Sequence, residues 1–102
     1  MIDNAYQILD IAAEVLQPET IQLINRPSIH LRGWKILDRW ALNSPEKLKA
    51  LEAQGRILFL DRLLTQQKLE EDIMMLVSSL EAIRTGLTEH EILQMHEINT
   101  EL

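Results

Sequence analysis

Cysteine is absent from this 102-residue chain, so it can form no disulfide, hold no metal through thiolates and offer no thiol nucleophile. Glycine and proline occur three times each, and phenylalanine and tyrosine once each. Valine is almost as scarce. Strands draw on β-branched and aromatic side chains, and isoleucine is the only one present in quantity, which disfavours a sheet. The first ten residues hold no lysine or arginine, whereas a secretory leader would start with them. No apolar run approaches the roughly 20 residues needed to cross a bilayer. These absences predict a cytoplasmic protein that makes no use of the membrane.

What is present favours helix, because Leu, Ala, Glu and Gln dominate and all are good helix formers. The length suits one domain, 1–102, rather than two. The predicted fold is all-α, an irregular bundle of five or six helices.

Asp3 is placed to cap a first helix from about Asn4 to Leu16, whose apolar face is Ile8, Leu9, Ala12, Val15 and Leu16. Pro18 ends it, and a short helix over Glu19 to Asn25 stops before Pro27. From Leu31 to Leu42, Trp34, Leu37 and Ala41 share one side, with Ile36 and Trp40 beside them, the pattern of a largely buried helix. Ser44-Pro45 opens the next helix, since proline is tolerated where the amide proton has no partner.

Beyond Gly55 the spacing predicts one long helix, about 56–85, as the spine of the bundle. Its apolar residues Leu69, Ile73, Leu76, Leu80, Ile83 and Leu87 follow alternating four-three steps, the seam of a coiled coil. The step from Leu64 to Leu69 is five, which predicts a shift of face near Gln67. Gly86 ends this helix in the left-handed conformation. Thr88 and Glu91 then have the spacing of a capping box, opening a last helix to about Thr100.

Charge divides the chain into three blocks. Residues 1–25 carry −4, residues 26–68 carry +5 and residues 69–102 carry −7, within a net charge of −6. One consequence is internal pairing, in which acidic helices pack on basic ones. Another is nucleic-acid contact through the segment 26–49, with Arg32, Lys35, Arg39, Lys47 and Lys49 on phosphates and Trp34 or Trp40 as a stacking platform. Asp38 and Glu46 interrupt that stripe, and the net charge repels a polyanion. Leu87-Thr88-Glu89-His90-Glu91-Ile92 resembles the opening of some bacterial response-regulator DNA-binding domains over those six residues alone, and no function is carried from it.

Residues for chemistry are few. His90 and His96 fall on different sides of a helix, outside the spacing of a zinc hydrolase. Glu70-Glu71-Asp72 diverges around a helix turn and reads as a solvated face, and Ser78-Ser79 has no histidine near it in sequence. The three glycines are isolated, so no phosphate loop exists. No catalytic residues, metal site or cofactor are expected.

The sequence therefore predicts a non-enzymatic protein-interaction module, a small acidic inhibitor or adaptor of the immunity-protein or antitoxin type, masking a basic partner surface. Its expected contact is the acidic face Glu70, Glu71, Asp72, Glu81, Glu89 and Glu91. Two other readings stand beside it. One is a helical nucleic-acid-binding regulator using 26–49; the other is a structural homodimer, in a larger assembly, through Leu69, Ile73, Leu76, Leu80 and Ile83.

Overall fold

The computed structural model describes residues 9–102, apart from the side chains of Val77, Ser78 and Ser79. The readings of Asp3 as a cap, of Ile8 as a core residue and of Ser78-Ser79 lie outside that description. Helices α1 (Asp10–Val15), α2 (Pro18–Leu23), α3 (Leu31–Asn43), α4 (Pro45–Ala53), α5 (Arg56–Met74), α6 (Val77–Arg84) and α7 (Glu89–Met95) make up the fold, with no strand among the described residues. The all-α class follows from this. Proline opens α2 and α4, its missing amide proton falling where helix geometry has no partner for it.

Helix α3 is the centre. It packs against α1 on one side and α5 on the other, and its residues Ile36, Leu37, Trp40 and Ala41 are buried in the main core. Ala12, Leu16, Ile24, Ile29, Leu48, Phe59 and Leu63 complete that core. Of the two tryptophans, Trp40 is fully buried and Trp34 is half-buried against the same cluster. A second, smaller cluster joins Met74 of α5 to Ile92 and Leu93 of α7, with Ile73, Ala82, Leu87 and Ile98 around it.

Asp38, which interrupts the basic stripe in sequence, has a structural use. Its carboxylate accepts from the Leu9 amide at 2.8 Å and from the Ala12 amide at 2.9 Å, satisfying the first-turn donors of α1 from across the fold. Helix α1 starts at Asp10 because Leu9, at φ 75°, holds a left-handed conformation that a helix cannot contain.

The long helix continues through Gln67 as expected, but it ends at Met74 instead of running to residue 85. Met75 keeps helical angles, and Leu76 turns extended at ψ 145° before α6 begins. Neither residue is a breaker by propensity. The turn lets Ile73, Met74, Ala82 and Leu87 converge on Ile92 and Leu93, so tertiary burial overrides local preference here. Gly86, at φ 100°, does end α6 as expected, with the Leu87 amide returning to the Ala82 carbonyl at 3.1 Å.

The last helix stops at Met95, five residues short of the expected Thr100. Glu97 at φ 58° and the Ile98 amide on the Leu93 carbonyl at 2.9 Å close it, and the chain then runs on as an irregular tail to Leu102.

The Thr88–Glu91 capping box is present. The Thr88 amide donates to Glu91 Oε1 at 2.8 Å and the Glu91 amide to Thr88 Oγ1 at 3.2 Å. The first of these bonds, then the second group of contacts with Thr88, holds the Glu91 carboxyl below its ordinary value of 4.5. A lowered folded-state value means stability present above the unfolded value and lost as pH falls through the folded one. Comparing unfolding of the parent chain with Glu91→Gln should therefore show a stability gap at neutral pH that closes on acidification below the usual carboxylate range.

Gly33 marks a close approach of α3 to α5. A Cβ there would press on Gln67 Oε1 inside contact distance and lie 2.8 Å from Ile29 Cγ2. Gln67 is not free to withdraw, because Oε1 accepts from the His30 amide and Nε2 donates to the Ser28 carbonyl. Gly33→Ala should cost about 1–3 kcal/mol by overpacking, despite alanine's better helix propensity. Urea unfolding checks it.

Candidate functional site

The inner face of α5 reads Phe59, Leu63, Gln66 with Gln67, Glu70 and Met74, all buried. Its steps of three and four match a helix face, but the middle is polar. This band separates the two apolar clusters and holds a network of charged and amide groups.

Glu70 is the anchor, only 1% exposed. Both terminal nitrogens of Arg39 reach its carboxylate, and Gln66 Nε2 donates to Oε2 at 2.7 Å. Gln66 Nε2 also donates to the Asn99 carbonyl at 2.9 Å, while its Oε1 accepts from Arg62 at 2.8 Å. Arg62 in turn lies over the Trp40 ring, 4.9 Å from the centroid. The tail is caught from the other side: the Thr100 carbonyl accepts from Arg39 Nε at 2.9 Å and from Trp40 Nε1 at 3.0 Å.

The acidic face drawn from sequence is thus divided. Glu70 is inside the protein and cannot meet a partner, because a helix face that looks solvated in sequence is turned onto Arg39. Glu71 pairs with His30 at 2.8 Å, and Asp72 pairs with Lys68 one turn away at 2.9 Å, which holds the lysine above its ordinary value. Glu81, Glu89 and Glu91 are exposed, Glu89 on Arg32 at 3.2 Å.

The proposed phosphate ligands fare similarly. Arg39 is committed to Glu70 and the tail, and Arg32 bridges Glu70 and Glu89. Lys47 donates to the Leu102 carbonyl at 3.2 Å, leaving Lys35 and Lys49 exposed with no hydrogen bond or ion pair among the described residues. Trp40 cannot serve as a stacking platform, since none of its surface is accessible. Internal pairing of the acidic third with the basic middle is what the geometry displays.

The coiled-coil seam is also divided. It spans two helices, not one, and Ile73 turns inward to the second cluster. Leu76, Leu80 and Ile83 remain exposed; the spacing of Leu80 and Ile83 places them on one side of α6, and Leu76 is its N-cap residue. Met75, 77% exposed, stands beside them at the turn. Leu69 on α5 is exposed as well.

Among the described residues no helix is long and apolar enough to cross a membrane, and no group of three histidine or carboxylate side chains is placed to hold a metal. The buried polar residues that spacing alone overlooked are Asp38, Gln66, Gln67 and Thr100. Gln66 had a detectable signal, because it falls in phase with Phe59, Leu63 and Glu70.

Glu70→Ala should be among the most damaging single changes, costing about 3–5 kcal/mol, since it strands Arg39 and Gln66 without their shared acceptor. The paired change Arg39→Met with Glu70→Leu should recover much of that loss. Chemical denaturation of both variants measures it.

No protein-family model matches this chain, and neither a curated protein nor a solved structure is similar to it.

Proposed function

We propose that this chain is a non-enzymatic protein-interaction module, of the inhibitor or adaptor type, that docks a basic partner protein through α6. The observation that carries the reading is the uncovered apolar strip of Leu76, Leu80 and Ile83, with Met75 at its end. Solvent-exposed apolar residues scattered singly need no explanation, but Leu80 and Ile83 on one face of α6, with Leu76 at its N-cap, make a patch. The strip belongs to the block that carries −7, and Asp72, Glu81, Glu89, Glu91 and Glu97 are exposed there against one exposed cation, Arg84. An apolar centre within an acidic surround suits a partner with an apolar anchor ringed by lysine and arginine.

Charge also argues for a different chain over a second copy. Two copies meeting through α6 would bring like-signed surfaces together, which costs affinity and slows encounter. The nucleic-acid reading draws less support, because Arg32 and Arg39 are occupied by carboxylates and Trp40 is covered. A cytoplasmic location goes with the protein-binding reading.

The strip is exposed, so Leu80→Asp with Ile83→Asp should leave thermal stability nearly unchanged. Binding to a basic partner purified from the native host should weaken about thirtyfold or more, as expected when central apolar anchors are lost. Retention of the partner at full affinity would overturn the reading. A concentration-dependent dimer abolished by the same pair of changes would replace it with self-association.

A further inference from the structure

We propose that the cleft between α3 and the start of α7 binds a small tetrahedral dianion of the phosphate-monoester class. The cleft has a volume of about 290 Å³ and is lined by Arg32, Lys35, Arg39, Glu70, Glu89 and His90. Ile36 and Leu93 supply apolar walls. Lys35 lies one turn from both arginines on α3, so helix geometry brings all three cations to one side.

Three cations, Arg32, Lys35 and Arg39, line the cleft together with two carboxylates, and Glu101 stands 3.9 Å from Arg39. The Glu70 charge is consumed by Arg39, whose guanidinium grips both carboxylate oxygens and whose Nε is held by the tail. Arg39 and Glu70 are therefore a fixed wall.

Arg32 is different. It stands 3.7 Å from Glu70 and 3.2 Å from Glu89, longer than the 2.7–2.9 Å usual for a charge-assisted bond. The Glu89 side chain is 57% exposed and can swing away into water. Lys35 and His90 line the same space, both exposed, and no hydrogen bond or salt bridge ties either to another described residue.

An arriving phosphate can thus replace Glu89 on the Arg32 fork while Lys35 and the His90 ring donate from other directions. A guanidinium fork, a mobile ammonium and a ring N–H suit a tetrahedral oxyanion better than a planar carboxylate. The size of the cleft limits it to one phosphate. The next phosphate of a strand would meet carboxylates and the negative field of the whole chain.

Titration of the intact chain with inorganic phosphate tests this, followed by nuclear magnetic resonance at constant ionic strength, with sodium acetate and a short single-stranded oligonucleotide as parallel ligands. Saturable shifts should centre on Arg32, Lys35 and His90 at millimolar phosphate or below. Lys35→Gln should weaken binding about two- to fivefold without changing the melting temperature, the size expected for one exposed charge. Glu89→Gln should tighten it by a similar factor, and Glu81→Gln, an equal charge change on α6, should leave it unaltered. The proposal is overturned by unsaturable or scattered shifts, by equal responses to Glu81→Gln and Glu89→Gln, by acetate binding as well as phosphate, or by tighter binding of the oligonucleotide.

Discussion

A carboxylate taken out of water must be matched by donors at every oxygen, and in this fold the carboxylate of Glu70 imposes that requirement on three separate segments. Removing an ion from solvent costs several kcal/mol even after relaxation, so the group persists inside only where its partners are well placed. Arg39 comes from α3, Gln66 from one turn earlier on α5, and Arg39 is itself oriented by the Thr100 carbonyl of the tail. Because Arg39 sits one residue before Trp40, fixing its guanidinium also fixes the axial position of α3 against α5. The Trp40 indole then shares the same carbonyl acceptor. The tail is thereby part of the folded structure, not an addition to it.

Such a polar band gives up hydrophobic stabilisation that leucines in the same places would supply. What it contributes is selectivity among packings: apolar helices slide past one another at little cost, whereas a bidentate pair has one satisfactory register. The need is real here because α5 carries apolar residues on more than one side. Ile57, Leu58 and Leu69 are exposed while Phe59 and Leu63 are buried, so apolar content alone does not say which face turns inward. Gln66, Gln67 and Glu70 decide it, since each has partners on only one side of the helix.

That same point separates what was legible in the sequence from what was not. Helix boundaries were readable where a local chemical reason exists: the starts at the prolines of α2 and α4 and at the Thr88–Glu91 box of α7, and the end of α6 at Gly86. Helix ends set by tertiary contact were not. The turn at Met75–Leu76 has no local cause, and the tail leaves helix because Arg39, Trp40 and Gln66 are waiting for its carbonyls. For the site, the charge segregation was visible, but which charges face outward was not. Glu70 and Asp72 are two residues apart and of the same sign, yet one is internal and the other in solvent. Only the phase set by Phe59 and Leu63 distinguishes them, and that phase was obscured by equally good leucines one residue further on.

The pairing of opposite blocks also shapes what surface is left. Each base of α3 that takes a carboxylate from α5, α7 or the tail is withdrawn from external recognition, and so is its partner. In the basic middle, Arg32, Arg39 and Lys68 are taken up by carboxylates of the acidic third, while Lys35 and Lys49 stay exposed. The acidic third begins with an excess, and Glu81, Glu91 and Glu97 remain outward after the internal pairs are made. Surface charge is thus a remainder, not a copy of the sequence blocks. Part of that remainder, Glu81, lies on α6 itself, the helix displaced from the α5 axis by the turn at Leu76 and left with Leu80 and Ile83 in water. The break that spoils a continuous seam is consequently what leaves Leu80 and Ile83 uncovered on a short separate helix, the feature on which the proposed protein-binding role rests.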